Sequence, residues 1–288
     1  MIRLLLMLVA LAVFCYSGYM LYTFYREYKK GSDEYDNLEA NYSVSQDESE
    51  NMNVLEDDKV LEQLQGAEDE AQSVQGRVMV TVTENGKQVS LPVMNNPIDF
   101  TELKQINQDI CGWLRIRAID ISYPLVQGED NDYYLHRTFE GESNFAGCLF
   151  LNYTNKTDFT DQNTIIYGHN MKNGSMFGKL KQFGNDETFQ KSKYFWIFTP
   201  DFIYQYRIFS AMVVNKVGLT YQTMFLEDEF RNFVEIAFSN SQVDNTGVEV
   251  TDDDRVVTLS TCTGDDETRF VVMGKLAQVY VPKDQVGE

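Results

Sequence analysis

Leu4–Tyr25 is a run of 22 residues without a charge. A bilayer is crossed by roughly 20 mostly apolar residues in helical form. Tyr16, Tyr19, Tyr22 and Tyr25 crowd the C-terminal half of the run, as interfacial anchors do. A cleaved signal peptide is the competing reading, but Tyr16-Ser17-Gly18-Tyr19-Met20 offers no small-x-small cleavage site. Cys15 follows Phe14, where a lipoprotein site needs a small residue. The run is therefore read as a permanent anchor. Its flanks conflict with an outside location for the body. Arg3 precedes the run, whereas Arg26, Lys29 and Lys30 follow it, and positive flanks favour the cytoplasm.

Residues 31–76 hold fourteen Asp or Glu against Lys59 alone. Self-repulsion and low apolar content predict an extended, solvated connector between membrane and body. Val54, Leu55, Val60, Leu61 and Leu64 offer one face of a short helix within it. Residues 77–288 form the folded body. Across all 288 residues the formal charge is −20, which argues against nucleic-acid binding because phosphates would be repelled. Nineteen Phe and seventeen Tyr exclude a disordered chain. Four cysteines are too few for a disulfide-built fold, and no Cys-x-x-Cys pair signals zinc.

Alternation at Val78, Val80, Val82 and at Val89, Leu91, Val93, with Asn85-Gly86 between, predicts a hairpin. A helix is expected from Asp99, which can cap Glu102; Leu103, Ile106 and Ile110 share one stripe. Cys111 falls on that helix. Strands are expected at 119–126, 145–151, 164–167, 194–198, 203–214, 255–261 and 269–281. So many strands predict a barrel or sandwich. One helix at 225–238 interrupts them, with Leu226, Phe230, Phe233, Val234 and Ala237 on one face.

The chain has two histidines. His169 ends the apolar strand Thr164-Ile165-Ile166-Tyr167-Gly168, where a loop meets solvent; His136 sits among bulky residues with no strand-end signature. Cys262 ends another strand, and a polar loop leads to Arg269. If these strands pair, Cys262 and Arg269 flank the loop's base with Cβ atoms roughly 4.5–5.5 Å apart. A guanidinium there favours thiolate and steadies an oxyanion. The alternatives are a buried structural thiol and an arginine paired with Asp265, Asp266 or Glu267. Cys111 and Cys148 suit core packing, and a disulfide between them stays open.

Thr258-Leu259-Ser260-Thr261-Cys262, followed by Arg269-Phe270-Val271-Val272, resembles the nucleophile and arginine strands of the sortases. Ile165-Ile166-Tyr167-Gly168-His169-Asn170-Met171 resembles their histidine strand. Cys111-Gly112-Trp113-Leu114-Arg115-Ile116, Ile121-Ser122-Tyr123-Pro124-Leu125-Val126-Gln127, Tyr133-Tyr134-Leu135 with Gly141, and the helix at 225–238 are similar to the class B branch. The resemblance spans about residues 97–282. One departure is the short loop, with Arg269 only seven positions after Cys262.

The resemblance implies an eight-stranded sortase-type β-barrel with added helices, on the outer face of a Gram-positive cell, with no cofactor and no metal. It implies a cysteine transpeptidase that cuts a C-terminal sorting signal after its threonine and joins the new end to a cell-wall cross-bridge amine. Cys262 would be the nucleophile and His169 the general acid and base. Arg269 would bind the signal and the oxyanion, and Ser260 and Thr261 would be groove candidates. Partners would be signal-bearing surface proteins, the cross-bridge amine and membrane lipid. Two other readings remain. An L,D-transpeptidase uses a compact His-Gly-x-Cys pattern, which the wide spacing of His169 and Cys262 opposes. A non-catalytic adhesin or wall-binding domain would bury Cys262.

Overall fold

The structure is a computed structural model that describes residues 2–43, 55–56, 78–84, 87–226, 228–243 and 246–286. Helix α1 (Ile2–Tyr42) carries the apolar run, and its apolar window is not buried against the body. It is long and apolar enough to cross a membrane.

The expectation of an extended connector fails for residues 31–42. The helix continues there, and Gly31, Tyr35 and Leu38 are buried against the body. Gly31, Tyr35, Leu38 and Tyr42 recur at i, i+4, i+7, i+11, one helical stripe whose burial outweighs the acidic residues between them. At its end Asp99 N donates to Tyr42 O (3.1 Å), and Arg115 Nη2 donates to Ser43 Oγ. Leu55 is buried too, and Glu56 accepts from Ser192 Oγ (2.8 Å) and Trp196 Nε1 (3.0 Å) beside Arg117 (3.2 Å). The other residues offered as a short helix, Val54, Val60, Leu61 and Leu64, lie outside the described residues.

The hairpin forms as expected. β1 (Met79–Glu84) and β2 (Lys87–Met94) pair antiparallel, Glu84 opposite Lys87; the Asn85-Gly86 turn lies outside the described residues. Helix α2 (Phe100–Ile106) has Asp99 as N-cap, its carboxylate accepting from Glu102 N at 3.1 Å. It ends before Ile110. Asn107 caps it in an extended conformation and donates its side-chain amide to Tyr134 OH (2.9 Å) and Phe139 O (2.7 Å). Cys111 consequently lies on strand β3 (Ile110–Ile116) rather than on a helix.

The remaining strands are β4 (Ile121–Val126), β5 (Leu149–Leu151), β6 (Asn163–Tyr167), β7 (Tyr194–Phe198), β8 (Ile203–Asn215), β9 (Val256–Cys262) and β10 (Thr268–Pro282). Their order is β10-β8-β7-β3-β4-β5-β6-β9, and β9 pairs with β10, which closes an eight-stranded barrel. β2 joins the outside of β10 in parallel. Trp113, Phe195, Trp196, Ile197 and Phe198 are fully buried. Helix α3 (Asp186–Lys191) precedes β7. Helix α4 (Glu229–Ser239) starts later than the apolar stripe implied, leaving Leu226 71% exposed. Its Phe230, Phe233 and Ala237 pack on Phe209, Met212 and Val271 of β8 and β10. Each fully buried Phe of this kind contributes about 1.5–3 kcal/mol of transfer free energy.

Candidate active site

β6 and β9 run parallel, with Asn163 opposite Val256 and Tyr167 opposite Ser260. The register persists beyond the end of β6. Gly168 N donates to Ser260 O (3.2 Å), and Thr261 Oγ1 donates to Gly168 O (2.8 Å). One residue further, this register brings His169 level with Cys262. On the other side β9 pairs antiparallel with β10, and Cys262 stands directly opposite Arg269. Adjacent strands lie about 4.8 Å apart, so Cys262 occupies the middle of a three-strand set with the histidine on one side and the arginine on the other. Gly168 is required by close approach: a Cβ there would sit 2.3 Å from Leu149 Cδ2 and 2.7 Å from Phe177 Cδ2.

His169 Nε2 lies 2.8 Å from Leu135 O. A carbonyl only accepts, so Nε2 carries a proton and Nδ1 remains for proton exchange. Burial holds the imidazole pKa below its ordinary value, and His136 adds to this, while the Leu135 carbonyl acts in the opposite sense. The rings of His136 and His169 are 6.2 Å apart.

Cys262 is partly exposed, unlike Cys111 and Cys148, which are buried and unbridged. Burial pushes the Cys148 thiol up to about 12 and that of Cys111 further. Arg269 Nη1 donates to the carbonyls of Thr268 (2.8 Å) and Asp266 (3.2 Å). Glu267 pairs with Lys216 at 2.8 Å. Lys181 Nζ donates to Thr263 O at 2.6 Å, fixing the chain just after Cys262.

Ser260 and Thr261 differ from the groove-lining expectation. Both are 2% exposed: Thr261 holds Gly168, and the Ser260 hydroxyl meets Tyr221 OH at 2.9 Å. Tyr221 itself went unread in the sequence. It stacks on Tyr167 with centroids 6.3 Å apart. Burial pushes its hydroxyl up to about 12, with the Arg269 charge acting against this and Cys262 with it. Buried Asn163 places that segment, donating to Thr220 O (3.1 Å) and Gln222 O (2.8 Å) and accepting from Thr258 Oγ1 (2.7 Å). A polar Asn opening an otherwise apolar strand was the available signal, since a buried amide must find partners. Among the described residues no three His, Cys, Asp or Glu side chains gather as a metal would need.

The sortase-domain family model matches residues 114–277. Sortase B of Listeria monocytogenes is 35% identical over 190 residues, covering 62% of this chain and 74% of that protein. The Staphylococcus aureus sortase B–substrate complex matches with 31% identity and a TM-score of 0.58, over 62% of this chain and 83% of that one. Clostridium perfringens sortase B matches with 34% identity and a TM-score of 0.58, over 62% and 99%. A cysteine and a histidine brought level by a parallel barrel register, within a sequence this similar to sortase B proteins, establish that the chain belongs to the sortase family, in its class B branch of cysteine transpeptidases.

Proposed function

We propose that this transpeptidase is anchored by α1 with its body outside the membrane, and that it sorts proteins to the cell wall. The carrying observation is the register that sets Cys262 between His169 and Arg269. Cys262 passes its thiol proton to His169 Nδ1, and Sγ then attacks the carbonyl carbon of the threonine in a sorting signal. The C–N bond breaks, and His169 Nδ1 gives its proton to the departing amine, leaving a thioester. A cross-bridge amine then attacks that thioester, His169 takes its proton, and the thiolate leaves. Arg269 stabilises the oxyanion and holds the signal; one removed oxyanion donor costs about 10²–10³ in rate. The S. aureus neighbour, a substrate complex, supports a peptide signal as the ligand class.

The membrane reading rests on the apolar window of α1 and overrides the Lys and Arg count, because signal and acceptor both lie outside. The test is a panel of sorting-signal peptides offered to the full chain, with mass spectrometry of the acyl-enzyme. Cleavage with an adduct on Cys262, both lost in Cys262→Ala, is the expected result. An adduct on Cys111 or Cys148 with Cys262 untouched overturns the assignment.

A further inference from the structure

Two segments fix His169. One is the turn at 133–148, which supplies the Leu135 carbonyl to Nε2. The other is the loop at 170–178, which turns back so that Phe177 N donates to His169 O at 3.0 Å. Both are held by the same stretch of α1. Toward the first segment, Glu27 O accepts from Asn144 Nδ2 (2.9 Å), Glu34 Oε1 accepts from Glu140 N (3.0 Å), and Tyr35 OH donates to Gly147 O (2.7 Å). Lys30 pairs with Glu142 at 3.1 Å, and the Tyr28 ring lies 5.5 Å from that of Phe145. Toward the second, Tyr28 OH accepts from Asn173 N at 2.8 Å. Tyr28, Gly31 and Tyr35 close on Met171 and Met176 around a space of only about 20 Å³.

We propose that residues 27–35 of α1 form a positioning clamp for the catalytic histidine, so that the membrane helix is part of the catalytic apparatus. The inference rests on His169 being the acid–base group. The clamp follows the apolar run at once. Tyr28 is three residues past Tyr25, or about 5 Å along a helix, so the clamped loops stand at the end of the apolar run. Gly31 is a point of close approach, since a Cβ there would lie 3.1 Å from Asn144 Nδ2. A larger side chain would wedge the helix away from both loops.

The His136 ring, on the 133–148 turn, lies 6.2 Å from that of His169; by the β6–β9 register Cys262 is level with His169, and Arg269 stands opposite Cys262 on β10. Glu34, at the clamp interface, contributes a carboxyl whose pKa burial raises.

The experiment uses the full chain in lipid nanodiscs, with ring-labelled histidine read by NMR and His136→Ala to assign the two signals. Gly31→Val and Tyr28→Phe are compared with the parent. Loosened burial moves the His169 midpoint up toward the ordinary histidine value. kcat falls about tenfold or more with KM changed less than about twofold, as expected for misplacement of a group acting in the transition state. Tyr28→Phe removes one hydroxyl at a partly exposed position and keeps the test open should Gly31→Val fail to fold. An unmoved midpoint and unmoved kcat in Tyr28→Phe, with His169→Ala inactive, overturns the clamp alone. Parent-like cleavage by His169→Ala overturns the acid–base reading instead, and the clamp with it.

Discussion

Thr261→Val tests how the site is held together. The substitution keeps the side chain's shape and deletes the hydroxyl that donates to Gly168 O at 2.8 Å. Thr261 is 2% exposed, so water cannot replace the lost donor without opening the strand pair. Leaving a buried acceptor unpaired costs about 1–3 kcal/mol. A change of 1 kcal/mol shifts Tm by roughly 2–4 °C for a domain of 150–250 residues, so calorimetry of the full chain should show a fall of roughly 2–12 °C. The same bond carries the β6–β9 register up to His169. A shift there of about 1 Å can cost ~10²-fold in turnover, so kcat for signal-peptide cleavage should fall well beyond what the stability loss explains. Thr261→Ser, which keeps the hydroxyl, should retain most of the activity. Thr261→Val with parental Tm and kcat would refute the reasoning. So would Thr261→Ser as impaired as Thr261→Val, since the methyl group and not the hydroxyl would then be responsible.

Three further outcomes are expected. Brief alkylation of the folded chain in a Cys15→Ser background should label Cys262 alone, because Cys111 and Cys148 are buried with raised thiol pKa values; equal labelling of all three contradicts that burial. His169 binds its proton less readily when folded, so the unfolded chain takes up more protons as pH drops below about 6.5. Stability should therefore fall as pH drops below about 6.5 more steeply in the parent than in His169→Asn, and the acid limb of the kcat/KM profile should lie below about 6.5; identical slopes remove the argument from burial. Protease added to wall-stripped intact cells should digest the body, whereas protection until the membrane is lysed refutes the outside orientation.

The strands were legible because β-branched and aromatic runs such as Tyr194–Phe198 have few other uses. The hairpin partnership of Cys262 with Arg269 was legible because the two residues bracket one short polar loop. β3 was not legible as a strand. Ile110 completes an i, i+3, i+7 stripe with Leu103 and Ile106, and only the tertiary partners of Asn107, Tyr134 OH and Phe139 O, show why the helix stops there. Residues 31–42 were hidden by their acidic charge, although the Gly31, Tyr35, Leu38, Tyr42 stripe was present. The pairing of His169 with Cys262 needed knowledge that β6 and β9 are parallel neighbours. No local pattern carries that, since a parallel pair is joined by a long crossover and not by a turn.

That crossover explains how the fold separates chemistry from its surroundings. β9 is the seam of the barrel: it pairs with β6 on one side and β10 on the other, and these two pairings close the sheet. The three residues assigned the chemistry stand at one end of this seam, so the site exists only when the barrel is closed. Between β6 and β9 the chain makes α3, β7, β8 and α4. The segment bearing Tyr221 belongs to this excursion and returns to the seam through Asn163, on the first residue of β6. Changes in the crossover can therefore reshape what surrounds Cys262 without altering the register that aligns it with His169. Changes at Gly168, Thr261 or Asn163 act on the register itself, and their effect should fall on kcat before it falls on KM.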